Sequence, residues 1–265
     1  MAGDTPTFHP DDGHPYNRQL TELAQRVLEA TNIACLTGAG ASAESGVPTF
    51  RDAQTGLWSQ YDPEELASQA GFAANPGLVW QWYMMRLNMV EEADPNAGHI
   101  KLAMISKIPP QFTLITQNVD DLHERSGIHS VLHLHGNIAR FRCNDCRAQY
   151  QLIIVDRSAD EPPSCRVCSG PIRPDVVWFG EMLPRETITL AEQAIRRCDL
   201  LIVIGTSGIV YPAAMLPIEA KRAGAFVVDI NPQYGPTAEV ADMFIQGPSG
   251  SVLPDLVDVV HTMQE

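Results

Sequence analysis

Basic residues are scarce in this chain. Eighteen Lys and Arg stand against 32 Asp and Glu, leaving a formal charge of −14 at pH 7. Nucleic acid and anionic membrane both reward clustered Lys and Arg, so neither is expected as the main partner. A surface of this sign favours basic partners such as lysine-rich proteins, and it also serves plain solubility. Long apolar runs are missing too. The best, Leu200 to Ile204, is strand-sized and far too short to cross a membrane. Met1 to Asn17 has neither a basic start nor an apolar centre, so it reads as a flexible tail and not as an export signal. Cysteine is too sparse for a disulfide framework, with six in 265 residues. A reducing, cytoplasmic setting is therefore expected. No internal repeat or low-complexity tract is visible.

What remains is 45% hydrophobic, enough for a substantial core in one large domain with an inserted module, or in two domains. Helical periodicity over Arg18 to Ala30 precedes a short apolar run, Ile33 to Thr37, that ends in Gly38-Ala39-Gly40. Similar runs follow: Phe112 to Ile115 before Gln117-Asn118, Leu200 to Ile204 before Gly205-Thr206-Ser207, and Phe226 to Ile230 before Asn231-Pro232. Helical stretches, Glu186 to Arg197 and Ala213 to Ala223, separate the later ones. This alternation predicts an α/β fold, a Rossmann-like doubly wound parallel sheet. Ligands of such sheets bind beyond the carboxyl ends of the strands, and four small or polar ends suggest one shared crevice. Residues 52–100 and 139–174 break the alternation. They are expected to form a smaller zinc-binding and helical domain beside a large domain built from residues 18–51, 101–138 and 175–265.

Cys143, Cys146, Cys165 and Cys168 form two Cys-x-x-Cys pairs with eighteen residues between them. That spacing is the mark of one four-thiolate zinc site. Four thiolates complete the tetrahedron and leave no open position, so the zinc is expected to be structural. The other two, Cys35 and Cys198, sit in apolar stretches and read as buried thiols.

Gly38-Ala39-Gly40-Ala41-Ser42 could bring backbone amides against a pyrophosphate, but a tight strand-to-helix turn would look the same. Asn118 and Asp120 follow a strand, where such residues also cap helices. His133 and His135 would share one face of a strand. The ordered set of motifs is more specific. Gly38 to Asp52 with its Phe50-Arg51, Thr116-Gln117-Asn118-Val119-Asp120, His133-Leu134-His135-Gly136, the paired cysteines, Pro174 to Glu181, Gly205-Thr206-Ser207 and Asn231-Pro232 resemble the sirtuins, the NAD-dependent protein lysine deacylases. The resemblance spans roughly Ile33 to Ser251.

It implies a cleft that binds NAD and an acylated lysine side chain of a protein. The acyl oxygen attacks C1′ of the nicotinamide ribose as nicotinamide leaves, and O-acyl-ADP-ribose is released. His135 would be the general base, with Asn118 and Asp120 placing the nicotinamide end. Gly38, Ala39, Gly40, Ala41, Ser42, Glu44, Phe50, Arg51, Trp58 and Gln117 would line the cofactor site. Gly205, Thr206, Ser207, Asn231 and Ser249 would take its adenosine side. Val177, Phe179, Gly180 and Glu181 would meet the substrate. The first bond cleavage is shared with mono-ADP-ribosyl transfer, and an idle NAD-binding module is the non-enzymatic alternative. Intact His135 and an acyl-pocket arginine favour deacylation over the transfer, and retention of Asn118, Asp120 and His135 speaks against the idle module. Asp121 stands where many relatives carry glycine.

Tyr83 and Arg86 are three apart, so a helix puts them on one face. Alone, that is an aromatic stripe with a solvated arginine. Within the family, Tyr-x-x-Arg here resembles the class that removes succinyl, malonyl and glutaryl groups, as do Gly208 and Tyr211. A guanidinium in an apolar acyl pocket can pair with a distal carboxylate.

Overall fold

The computed structural model describes residues 17–47, 62 and 66–265. Helix α1 (Asn17–Glu29) presents Leu20, Leu23, Ala24 and Val27 on one buried face. Then come β1 (Asn32–Thr37) and the one-turn α2 (Gly40–Ala43). Helices α3 (Gln69–Ala74), α4 (Pro76–Glu92) and α5 (Ala97–Ile105) follow. Each has a side-chain N-cap: Ser68, Asn75 and Asn96 accept from the amides of Gly71, Leu78 and His99. Next are β2 (Gln111–Thr116), α6 (Leu122–Arg125), β3 (Val131–His133), β4 (Gly136–Cys143), β5 (Gln149–Tyr150), α7 (Ile154–Arg157) and β6 (Ile172–Val176). The chain closes with α8 (Arg185–Arg197), β7 (Leu200–Ile204), α9 (Leu216–Ala223), β8 (Phe226–Asn231), α10 (Pro236–Val240), β9 (Met243–Gln246) and α11 (Ser249–Gln264).

Six strands make one sheet in the order β3-β2-β1-β7-β8-β9, and every neighbouring pair is parallel. Side chains alternate across it. Ile33, Cys35, Leu114 and Ile202 face α1, α5 and α11, whereas Ala34, Leu36, Ile115, Leu201 and Val203 face α8 and α9. Both faces are covered, so the strands read as continuous apolar runs. A second sheet, β5-β4-β6, is antiparallel and shares an apolar core with α3 and α4.

Two elements differ from the sequence reading. The helix expected over Ala213 to Ala223 begins as a 3-10 turn, Ala213–Met215, and becomes α-helical at Leu216. Pro217 explains the break: it has no amide hydrogen and is tolerated only in a first turn. Helix α5 starts at Ala97 and packs in the large core with α11, although residues 97–100 were assigned to the insertion. Among the described residues, no helix is long and apolar enough to cross a membrane.

Chain order reverses between β1 and β7, which opens a crevice at their carboxyl ends. Here two turns lock together. The Gly38 amide donates to the Ile204 carbonyl at 3.0 Å and the Gly40 amide to the Gly205 carbonyl at 2.8 Å. A Cβ on Gly40 would sit 2.7 Å from Gly205 Cα, and Gly205 itself has φ +59°. Gly40→Ala is expected to destabilise the fold by about 1–3 kcal/mol, the cost of overpacking against backbone. Thermal unfolding followed by circular dichroism would measure it, and an unchanged midpoint would contradict the close-packed turn.

Candidate functional site

The strand ends converge on a chain of hydrogen bonds. Asn118 is buried, and its Nδ2 donates to Ser42 Oγ at 3.0 Å. Ser42 Oγ donates to Asp120 Oδ2 at 3.0 Å, and Asp120 Oδ1 accepts from the Leu122 amide at 3.2 Å. Asp120 therefore also caps α6. Burial raises its carboxyl pKa above the usual range, with the Leu122 and Ser42 hydrogen bonds working against this.

His135 lies in the turn between β3 and β4. Its Nδ1 is 2.9 Å from the Gln117 carbonyl oxygen. A carbonyl can only accept, so Nδ1 carries the hydrogen and Nε2 keeps its lone pair. Burial lowers the His135 pKa, with the Gln117 carbonyl offsetting part of the effect. The ring is thus held neutral in one tautomer, as a general base requires. His133 differs. Its Nε2 meets Glu124 Oε1 at 2.7 Å and its Nδ1 the Asn118 carbonyl at 3.1 Å. Burial pulls its pKa down, but Glu124 overrides this and holds it above the ordinary value. Two acceptors suit an imidazolium, so His133 is a satisfied structural ion and not a free base.

On the other side of the crevice, Gln117 Nε2 donates to Thr206 Oγ1 at 2.7 Å, and Asn231 Nδ2 donates to the Thr206 carbonyl at 2.8 Å. Ser207 is exposed. Glu44 is the N-terminal partner of α11: its Oε2 accepts from the Gly250 amide at 2.7 Å, next to Ser249. Phe50, Arg51 and Trp58 lie outside the described residues. Ala39 and Ala41 form the turn between Gly38 and Ser42.

Strand β6 leads into the expected substrate segment. The Val177 amide donates to the His135 carbonyl and the Phe179 amide to the Ala67 carbonyl, both at 2.8 Å. Phe179 is half-exposed, and Gly180 has φ +81°. Glu181 is committed elsewhere. It accepts from Arg173 at 2.7 and 3.1 Å, from the Trp178 amide at 2.9 Å and from Gln69 at 2.7 Å. Sequence reasoning did not single out Arg173 or Trp178. A fully buried arginine leaves no periodic signal. Tyr83 and Arg86 lie on α4 as expected. The Tyr83 hydroxyl accepts from Trp178 Nε1 at 2.8 Å, and the Arg86 guanidinium lies 4.9 Å from the centre of the Trp82 ring. Burial lowers the Arg86 pKa, while Tyr83 and Asp120 oppose that shift. Asp121 caps no helix through its side chain and lies 3.8 Å from Arg125.

The four cysteine sulfurs lie within 4.8 Å of one another. Four convergent thiols with no disulfide fit a structural zinc ion, held by Cys143, Cys146, Cys165 and Cys168. Cys35 and Cys198 are buried, and burial pushes the Cys198 thiol up to about 11. The glycine turn at the switch point, with polar groups ranged on both sides of it, fits a dinucleotide.

Fold and site together define an α/β protein of the Rossmann type, with a fixed-tautomer histidine beyond the strand ends and a four-thiolate module. Residues 38–212 match the Sir2 family, and the chain belongs to it. It is 48% identical over 239 residues to NAD-dependent protein deacylase 2 of Pyrobaculum aerophilum, covering 90% of this chain and 94% of that one. A crystal structure of a Sir2 homolog–NAD complex matches with a TM-score of 0.86 at 42% identity, over 92% of this chain and 94% of that one. A structure of Sir2 bound to acetylated peptide matches with a TM-score of 0.81 at 30% identity, over 90% and 97%.

Losing one thiolate removes a ligand from a site worth roughly 10–16 kcal/mol in small zinc peptides. Cys146→Ser is therefore expected to lower bound zinc from one equivalent to near zero and to depress the melting temperature. Full zinc content by elemental analysis would contradict the assignment.

A second expectation concerns His99, which is buried beside His123 with its pKa lowered by burial to about 4. The unfolded chain binds a proton there near pH 6.5 and the folded chain does not, so stability is lost as pH falls from 6.5 towards 4. At pH 5 this amounts to about 2 kcal/mol. His133, Asp120 and Asp229 shift upward and oppose this trend. The variant isolates the group: His99→Leu should lose less stability than the parent between pH 7 and pH 5 in urea melts. Equal losses would refute a neutral His99.

Proposed function

We propose that this protein removes acyl groups from protein lysines in an NAD-dependent reaction, releasing nicotinamide and O-acyl-ADP-ribose. One observation carries the reading: His135 has its Nδ1 hydrogen fixed on the Gln117 carbonyl and its Nε2 lone pair available, at the strand ends that also hold Asn118, Ser42 and Asp120. The names of the relatives support it, since one is called a deacylase, one solved neighbour holds NAD and another an acetylated peptide.

NAD supplies an electrophilic ribose carbon once nicotinamide leaves. The protein's residues do the rest. His135 Nε2 takes a proton from a ribose hydroxyl, which a ring already neutral by burial can do at neutral pH. Asn118 and Asp120, cross-linked through Ser42, place the nicotinamide end and exclude water. Gly38 to Ser42 approach the pyrophosphate, and Thr206, Ser207, Asn231 and Ser249 the adenosine side. Val177 and Phe179 flank the lysine-bearing segment, and the half-exposed Phe179 ring offers an apolar wall.

For the acyl group, we read Tyr83 and Arg86 as the pocket for a distal carboxylate, as in succinyl or malonyl. The two lie on one face of α4 among buried aromatics, with Trp82 and Trp178 beside them. A charge-assisted hydrogen bond contributes about 1.5–3 kcal/mol. That is a roughly ten- to hundred-fold preference over acetyl. The experiment incubates matched succinyl-lysine and acetyl-lysine peptides with the protein, with and without NAD, and follows them by mass spectrometry. NAD-dependent loss of succinyl faster than acetyl is expected, and Arg86→Met should collapse that ratio about ten- to hundred-fold. Equal loss of both activities in Arg86→Met would sink the pocket assignment. Mono-ADP-ribosyl transfer is not favoured by any particular contact here.

A further inference from the structure

The Tyr83 hydroxyl has one hydrogen to give, and its neighbours determine where that hydrogen goes. Its recorded partner is Trp178 Nε1 at 2.8 Å. An indole nitrogen can only donate, so Tyr83 accepts in this bond. Arg86, one turn along α4, also carries only donors. The phenol hydrogen is therefore turned away from both, towards whatever acceptor enters the pocket.

Trp178 is itself held on every side. It is buried, its amide donates to Glu181 Oε2 at 2.9 Å, and Phe72 packs against its ring at 5.1 Å. The Arg173 guanidinium stacks on the indole at 3.1 Å. Arg173 is fully buried. It pairs with Glu181, donates to the Val176 carbonyl at 2.7 Å and reaches Asn144 Oδ1 at 3.4 Å, between the first two cysteines. Gln69 Nε2 closes the network on Asn144 at 3.0 Å and on Glu181 at 2.7 Å. Together these groups fix the angle of one indole N–H.

We propose that Trp178, clamped by Arg173 and Glu181, is a specificity-determining positioning residue: its N–H occupies the Tyr83 oxygen and commits the phenol hydrogen to an acceptor on the acyl chain. A carboxylate-bearing chain offers that acceptor, and acetyl does not. A tyrosine free to rotate could instead offer a lone pair to the pocket, which repels a carboxylate. The aromatic wall alone would give apolar packing with no sign preference. This inference rests on the acyl-pocket reading above.

The test measures kcat/KM for succinyl-lysine and acetyl-lysine peptides at saturating NAD in the parent, Trp178→Phe, Tyr83→Phe and the double variant. Trp178→Phe should lower the succinyl-to-acetyl ratio roughly three- to tenfold, the range of one hydrogen bond. Tyr83→Phe should do the same, and the double variant should fall no further than the larger single effect, because both changes remove one interaction. An unchanged ratio in Trp178→Phe, or two effects that multiply, would overturn the proposal. If circular dichroism shows that Trp178→Phe does not fold, the benzothienylalanine analogue at position 178 replaces the indole N–H by sulfur at nearly constant volume. It should give the same fall in ratio, and an unchanged ratio there also overturns the proposal. Arg86→Met separates the two levels. If it collapses the ratio while Trp178→Phe does not, the positioning role alone is wrong. If Arg86→Met leaves the ratio intact, the pocket reading fails and takes this inference with it.

Discussion

The backbone contact between Gly38–Gly40 and Gly205 is the constraint on which the site depends. Two strand-to-helix turns meet where the chain order reverses, and neither has room for a Cβ at the contact. That closeness brings Ser42 beneath Asn118 and Asp120, and lets Gln117 reach Thr206 across the crevice. A crevice widened by one methyl group would break the hydrogen-bond chain before it disturbed the sheet, because the sheet is held by ladder bonds behind the turns.

Chemistry follows from which groups those bonds leave uncommitted. His133 spends both ring nitrogens on acceptors and becomes a structural cation, whereas His135, two residues on, spends one and keeps the other. Neighbouring histidines thus shift in opposite directions: Glu124 holds the His133 pKa up against burial, whereas burial prevails at His135 over its single carbonyl partner. The same logic runs through Glu181, whose carboxylate is consumed by Arg173, Gln69 and the Trp178 amide and so holds Trp178 in place.

Much of this was legible in the sequence, for physical reasons. Buried parallel strands must be apolar on both faces, so Ile33 to Thr37 and Leu200 to Ile204 announced themselves, and the polar residues after them marked the crevice. Thiolate spacing is rigid, so Cys143, Cys146, Cys165 and Cys168 could be grouped. Helical periodicity put Tyr83 and Arg86 on one face, but only the family resemblance singled them out. Partner choice was not legible. Nothing in the order of residues says that Glu44 would hold the amide of Gly250, that Ser42 would bridge Asn118 to Asp120, or that Arg173 would lie buried on Trp178. These bonds join residues far apart in the chain, and the side chains alone fit many partners. The split helix at Ala213–Ala223 follows from Pro217, and the insertion boundary set at residue 100 falls inside α5 because Asn96 caps that helix, both short-range effects that periodicity averages away.

The central claim is that breaking the nicotinamide bond and removing the acyl group are one coupled event at His135, Asn118 and Asp120. The most direct measurement counts nicotinamide released and acyl-lysine consumed in the same reaction, by chromatography on a single sample. One nicotinamide for each acyl group lost, with the product mass of O-acyl-ADP-ribose, is the expected result. Nicotinamide released without acyl loss, or acyl loss without nicotinamide, would contradict the account.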